Sequence, residues 1–166
     1  LTLLGSLLAS IMPIFKPDEF LLNILPKKRL LGIDPGSKTL GIAVSDSNLI
    51  VASPILTIKR KKIRSDVNEL IIILKEYDIT GIVIGWPINM DGSLGPRCDS
   101  VRDFIKSFQE MKDIPILLQD ERMSTLAIEK PMINADLTRK KRAIRTDQLA
   151  ACWILQTALD VLQKKM

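Results

Sequence analysis

LLGIDPGSKTLGIAVSD, residues 30–46, decides the architecture. Leu30–Asp34 is a short apolar run ending in an acid, Pro35-Gly36-Ser37-Lys38 carries turn chemistry, and Leu40–Ser45 is a second apolar run. Two such runs around a tight turn read as a β-hairpin. Working outward, a third strand is expected around Pro54–Ile58. Ile63, Val67, Leu70, Ile71 and Leu74 keep helical spacing and predict a helix over 61–77. Thr80–Gly85 reads as a buried strand, Val101, Phe104, Ile105, Phe108 and Met111 as a helical face, and Ile114–Gln119 as another buried strand. A short helix is expected from about Thr125 to Pro131, a basic loop over 134–146, and a last helix from about Asp147. Antiparallel strands followed by strands alternating with helices predict one α/β domain over 29–166: a mixed sheet, its first three strands antiparallel, with helices on its faces.

Residues 1–28, broken by Pro13, Pro17 and Pro26, read as an irregular lead-in. The apolar stretch 1–15 lacks a basic leader region and is too short to span a membrane, so a cytoplasmic protein is expected. The chain opens on Leu, and Met12 is expected to be the native start, with residues 1–11 an upstream segment foreign to the protein.

The 24 basic and 19 acidic residues give a net charge of +5, compatible with a polyanionic partner. The absence of histidine excludes a Ser-His-Asp triad, a Cys-His pair and histidine metal ligands. Carboxylates, lysines, hydroxyls or a metal must then carry any chemistry. Cys98 and Cys152 lack C-x-x-C spacing and read as free thiols of a reducing compartment.

Four acids stand out. Asp34 ends a strand before a Gly-containing turn, where α/β sheets bind ligands, or where an Asp caps a turn. Asp120 and Glu121 end another buried strand; alternation lets one of them face a shared site, and the all-apolar Ile116-Leu117-Leu118 does not say which. Arg122 beside them is an ion-pair partner or a substrate contact. Asp147 continues the stripe Ala150, Ala151, Ile154, Leu155 and Ala158, as either a helix N-cap or a ligand. Carboxylates gathered at one point repel each other and need a cation, and hard oxygen donors without His or Cys select Mg²⁺ or Mn²⁺. Two such ions, roughly 4 Å apart, serve phosphodiester hydrolysis without histidine.

Three basic clusters offer a substrate track or plain surface charge: Lys27-Lys28-Arg29, Lys59–Lys62 with Arg64, and Arg139, Lys140, Lys141 and Arg142 with Arg145. The third precedes Asp147 and is the preferred phosphate contact.

Beyond the hairpin, GIVIGWPINMDGSLGPR at 81–97, LQDERMST at 118–125 and RKKRAIRTDQLAACWILQTALD at 139–160 complete a set of four motifs that resembles the YqgF/RuvX family in order and content. The resemblance implies an RNase H-like, RuvC-like fold and a metal-dependent nuclease acting on pre-16S rRNA 5′ ends or, alternatively, on Holliday junctions. Carried over by position, it implies catalytic and metal-binding roles for Asp34, Glu121 and Asp147, with Asp120 adjacent. Lys38, Asn89, Asp91, Gly92 and Arg97 then belong to the substrate groove or the loop that shapes it, and the partner is nucleic acid, met by a monomer or a homodimer. Trp86 departs from the Leu more common in relatives and is expected to pack in the core or close a loop, with stacking on a substrate base as the alternative. D-P-G-S-K-T also resembles the phosphate hairpin of sugar kinases, but one short domain and no second phosphate loop disfavour a phosphotransferase. A non-catalytic RNA-binding assembly factor is the alternative of another class, disfavoured because every candidate acid is present.

Overall fold

The computed structural model describes residues 14–121 and 139–166. In chain order it has β1 (Ile14–Phe15), α1 (Pro17–Asn23), β2 (Arg29–Pro35), β3 (Thr39–Ser45), β4 (Ala52–Lys59), α2 (Ile63–Glu76), β5 (Ile79–Trp86), α3 (Pro96–Met111), β6 (Ile116–Asp120) and α4 (Arg139–Gln163). The strands form one sheet in the order β1-β6-β5-β2-β3-β4. β2, β3 and β4 pair antiparallel, as expected, whereas β5, β6 and β1 run parallel to β2. Pro54 is tolerated because β4 is an edge strand.

Strand alternation assigns the two faces. Leu31 and Ile33, Leu40 and Ile42, Ile82 and Ile84, and Ile116 pack with Val67, Leu70, Ile73 and Leu74 of α2 and Val101, Phe104, Ile105 and Phe108 of α3. Leu30, Ala43, Val83 and Leu117 pack on the other face with Ala151, Ile154, Leu155, Ala158, Leu159 and Leu162 of α4. Burying each of these large aliphatic side chains is worth ~1.5–3 kcal/mol. Because residues two apart share a face, Asp34, four beyond Leu30, falls on the α4 side, as do Thr39, two before Gly41, and Glu121, four beyond Leu117.

α4 sits close to the sheet because glycine lies beneath it. A Cβ on Gly41 would overlap the backbone carbonyl of Asp147, and one on Gly32 would stand 2.7 Å from Leu155 Cβ. Ala150, Ala151 and Ala158 supply the matching small surface on the helix.

Two expectations are corrected. The lead-in is not irregular where it is described: β1 extends the sheet beside β6, and α1 buries Phe20 completely in the α4-side core. Pro17 opens α1 at its first turn, where the missing N–H costs nothing. The last helix does not begin near Asp147 but at Arg139, so the described end of the predicted basic loop is helical. Lys and Arg are good helix formers, and their charge alone does not make a loop. The predicted helix near Thr125–Pro131, Arg122 and the proposed start at Met12 lie outside the described residues. Cys98 and Cys152 are free thiols, as expected. Among the described residues no helix is long and apolar enough to cross a membrane.

Candidate active site

A cleft of about 620 Å³ opens beside the carboxyl ends of β2 and β5, and Asp34, Lys38, Asn89, Arg97, Glu121 and Asp147 line it. Each arrives from a different element. Asp34 ends β2, Glu121 follows β6, and Asp147 projects from α4 two turns beyond its start. Gly85 makes room for Glu121: a Cβ there would lie 2.5 Å from Glu121 Oε2 and 2.6 Å from Ile154 Cδ1.

The Asp34 and Glu121 carboxyls are hydrogen-bonded to each other. Burial, the Asp34 charge, that hydrogen bond and the charge of Asp120 push Glu121 up to about 8, against the opposing pull of Arg97. Burial also raises Asp34, with the Asp147 charge adding to it and the Glu121 hydrogen bond and Arg97 opposing. The pair therefore shares a proton near neutral pH, with Glu121 donating to Asp34. Arg97 Nη2 stands 3.7 Å from Glu121 Oε1, its side chain 65% exposed while that of Glu121 is 10% exposed. Across the cleft, Thr39 Oγ1 donates to Asp147 Oδ2 at 2.7 Å.

Asp147 is not an N-cap, because α4 starts eight residues earlier. Glu121, not Asp120, enters the cleft. Asp120 pairs in register with Trp86 at the carboxyl ends of β6 and β5 and acts on the site through its charge on Glu121. Asp91 and Gly92 do not line the cleft but build the turn that carries Asn89 to it. Asp91 Oδ1 accepts from Ser93 N–H at 2.9 Å and Ser93 Oγ at 2.6 Å, and Gly92 takes a φ of 86°. Trp86 packs against the α2/α3-side core with the Arg102 guanidinium 5.4 Å from its ring centroid, as expected of core packing. α4 carries Arg139, Lys140, Lys141 and Arg142 in its first turns, with their side chains outside the described residues. Thr39 is the site residue that the sequence reading missed; its place on the alternation of Gly41 and Ala43 was the available signal.

Among the described residues no three acids converge into a ready-made metal cage. Asp34 and Glu121 touch, while Asp147 is held by Thr39. The donor set nevertheless fits a hard divalent cation: carboxylate oxygens only, two of them largely withdrawn from water and in hydrogen-bonding contact with each other.

A pH dependence follows. A carboxyl raised in the fold contributes stability that is complete below its unfolded value, near 4.5, and lost as pH rises through about 8. In EDTA the melting temperature should fall between pH 6 and pH 9, by roughly 5 °C. Glu121→Gln should abolish that slope, and an unchanged slope in this variant, followed by differential scanning fluorimetry, would remove Glu121 as its source.

The family model described as "RuvX: Holliday junction resolvase" matches residues 28–161. The chain belongs to the RuvX family. A relative from Paramagnetospirillum magneticum is 44% identical over 149 residues, covering 90% of this chain and 96% of its own length. One from Ruegeria pomeroyi is 47% identical over 146 residues, covering 88% and 95%. Both carry the name "Putative pre-16S rRNA nuclease". The structure of T. thermophilus RuvC in complex with a Holliday junction substrate matches with a TM-score of 0.53 at 15% identity, over 82% of this chain and 96% of that one. At that identity the likeness is one of fold. The expected RNase H-like fold and nuclease class are therefore those of this RuvX-family chain.

Proposed function

We propose that this RuvX-family protein is a cytoplasmic, Mg²⁺- or Mn²⁺-dependent nuclease that processes the 5′ end of pre-16S rRNA. The observation that carries the proposal is the desolvated Asp34–Glu121 pair facing Asp147 across one cleft. These three side chains would hold the cation. When bound, it lowers the pKa of water and stabilises the charge on a leaving oxygen. The chain's own groups do the rest. Asp34 and Glu121 would give up their shared proton to solvent on holding the ion, so that both carboxylates ligate it. Arg97, exposed at the first turn of α3, exchanges Glu121 for a substrate phosphate. Lys38 and Asn89 line the walls and orient the backbone of the strand to be cut. Names carried by relatives at 44% and 47% identity favour the rRNA precursor. The family description favours a second substrate, the four-way DNA junction.

The test is a panel of labelled substrates, a 5′-extended 16S precursor and a mobile four-way junction, with Mg²⁺ and with EDTA. Metal-dependent cleavage of the RNA supports the proposal, and cleavage of the junction alone transfers it to DNA. Tight binding without cleavage of either would make the protein a non-catalytic assembly factor.

Neutralising Arg139, Lys140, Lys141 and Arg142 together should weaken substrate binding and flatten its logarithmic salt dependence by up to ~3.6, at roughly 0.7–0.9 per lost phosphate contact. Filter binding across a salt series reads this out. A slope equal to that of the wild type removes the start of α4 from the substrate track.

A further inference from the structure

Arg60 belongs to the basic run 59–64, yet its side chain is only 14% exposed and it faces the protein. Its backbone N–H donates to the Lys38 carbonyl at 2.9 Å, and its Nη1 donates to the Gly36 carbonyl at 2.8 Å. Its Nε stands 3.6 Å from Asp66 Oδ2, and its guanidinium carbon lies 5.7 Å from the centroid of the Phe104 ring. Asp66 is fully buried. Its Oδ1 accepts from Lys61 N–H at 3.0 Å, while Oδ2 has no hydrogen-bond partner among the described residues and answers to the Arg60 charge.

A buried ion pair of this kind contributes little net stability, because desolvation offsets the attraction. Its consequence is geometric. The 36–39 turn lies between two groups of the cleft: the Gly36 N–H donates back to the Asp34 carbonyl at 3.1 Å, and Thr39 holds Asp147. Lys38 and Gly36 line the cleft from the same turn. The planar guanidinium fork spans Asp66 and the Gly36 carbonyl together, which a lysine ammonium on one stem does not reproduce.

We propose that Arg60 is a positioning residue, clamped by Asp66 and Phe104, that fixes the 36–39 turn and through it the relative placement of Asp34 and Asp147. The assignment rests on the nuclease reading of the cleft and deepens it, turning a cluster expected to meet substrate into part of the site's support.

Two variants test it. Arg60→Met/Asp66→Asn removes both buried charges while keeping an apolar stem against Phe104. Arg60→Lys keeps the counter-charge for Asp66 but not the fork. Steady-state cleavage of whichever substrate the wild type cuts is measured with melting temperature and salt-dependent binding. The expected result is a kcat lowered by roughly 10–100-fold in the double variant and less in Arg60→Lys, with KM within about twofold and an unchanged salt slope. A raised KM with a flatter salt slope would make Arg60 a phosphate contact and overturn the proposal. Wild-type kcat in either folded variant would overturn it too, and if one variant does not fold the other decides. Failure of the wild type to cut any substrate would sink the nuclease reading itself, whereas a cutting wild type with fully active variants sinks only the Arg60 assignment.

Discussion

Asp34→Asn is expected to lower cleavage on the order of a thousandfold or more while leaving the fold intact. Asn keeps the shape and a hydrogen-bonding oxygen but removes the charge that attracts a cation. The fold should survive because Asp34 stands at the cleft end of β2, beyond Leu31 and Ile33, which make the core contacts. The variant should even be easier to fold at alkaline pH, since Glu121 loses the Asp34 charge that helps to hold it up at about 8. Single-turnover cleavage with saturating Mg²⁺, alongside circular dichroism, measures both halves. A folded Asp34→Asn protein that cuts at the wild-type rate would remove Asp34 from the chemistry.

Gly41→Val should be nearly as damaging for a different reason. Its side chain would enter the space of the Asp147 backbone carbonyl, and neither β3 nor a 25-residue helix gives way locally. Overpacking of this kind costs about 1–3 kcal/mol, which for a chain of this size lowers the melting temperature by roughly 3–10 °C. Lifting α4 also moves Asp147 away from Asp34, and a displacement of about 1 Å in a catalytic group costs on the order of a hundredfold in rate. Activity measured well below the melting point separates the two effects. A stable, fully active Gly41→Val protein would show that the close seat of α4 does not set the site.

Much of this arrangement was legible in the sequence because its periodicities are strong. The hairpin at 30–46 and the α2, α3 and α4 faces were all written in the spacing of Leu, Ile, Val, Phe and Ala, since helices cover the sheet on both sides. That same coverage hid the choice between Asp120 and Glu121. A strand buried on both faces is apolar at every position, so alternation leaves no mark on Ile116-Leu117-Leu118. Only the register of β6 beside β5, with Leu117 on the α4 side, turns Glu121 into the cleft. α1 was masked by its own start signal: Pro17 read as a breaker where it opens a helix. The early start of α4 was masked by charge, because a run of Arg and Lys fits a solvated loop and a helix equally well. Arg60 shows the limit of charge patterning most clearly. Composition counts its guanidinium with its neighbours, but its partner Asp66 lies six residues on, and its other acceptor, Gly36, comes from a different hairpin.

The cation at the cleft is tested most directly by anomalous diffraction from crystals grown with Mn²⁺. The prediction is a manganese peak in contact with the carboxylates of both Asp34 and Glu121, on the side of the cleft that faces Asp147, and its loss in Asp34→Asn. Manganese bound only elsewhere on the protein, with the Asp34 and Glu121 carboxyls still in direct contact and no peak between them and Asp147, would contradict the account.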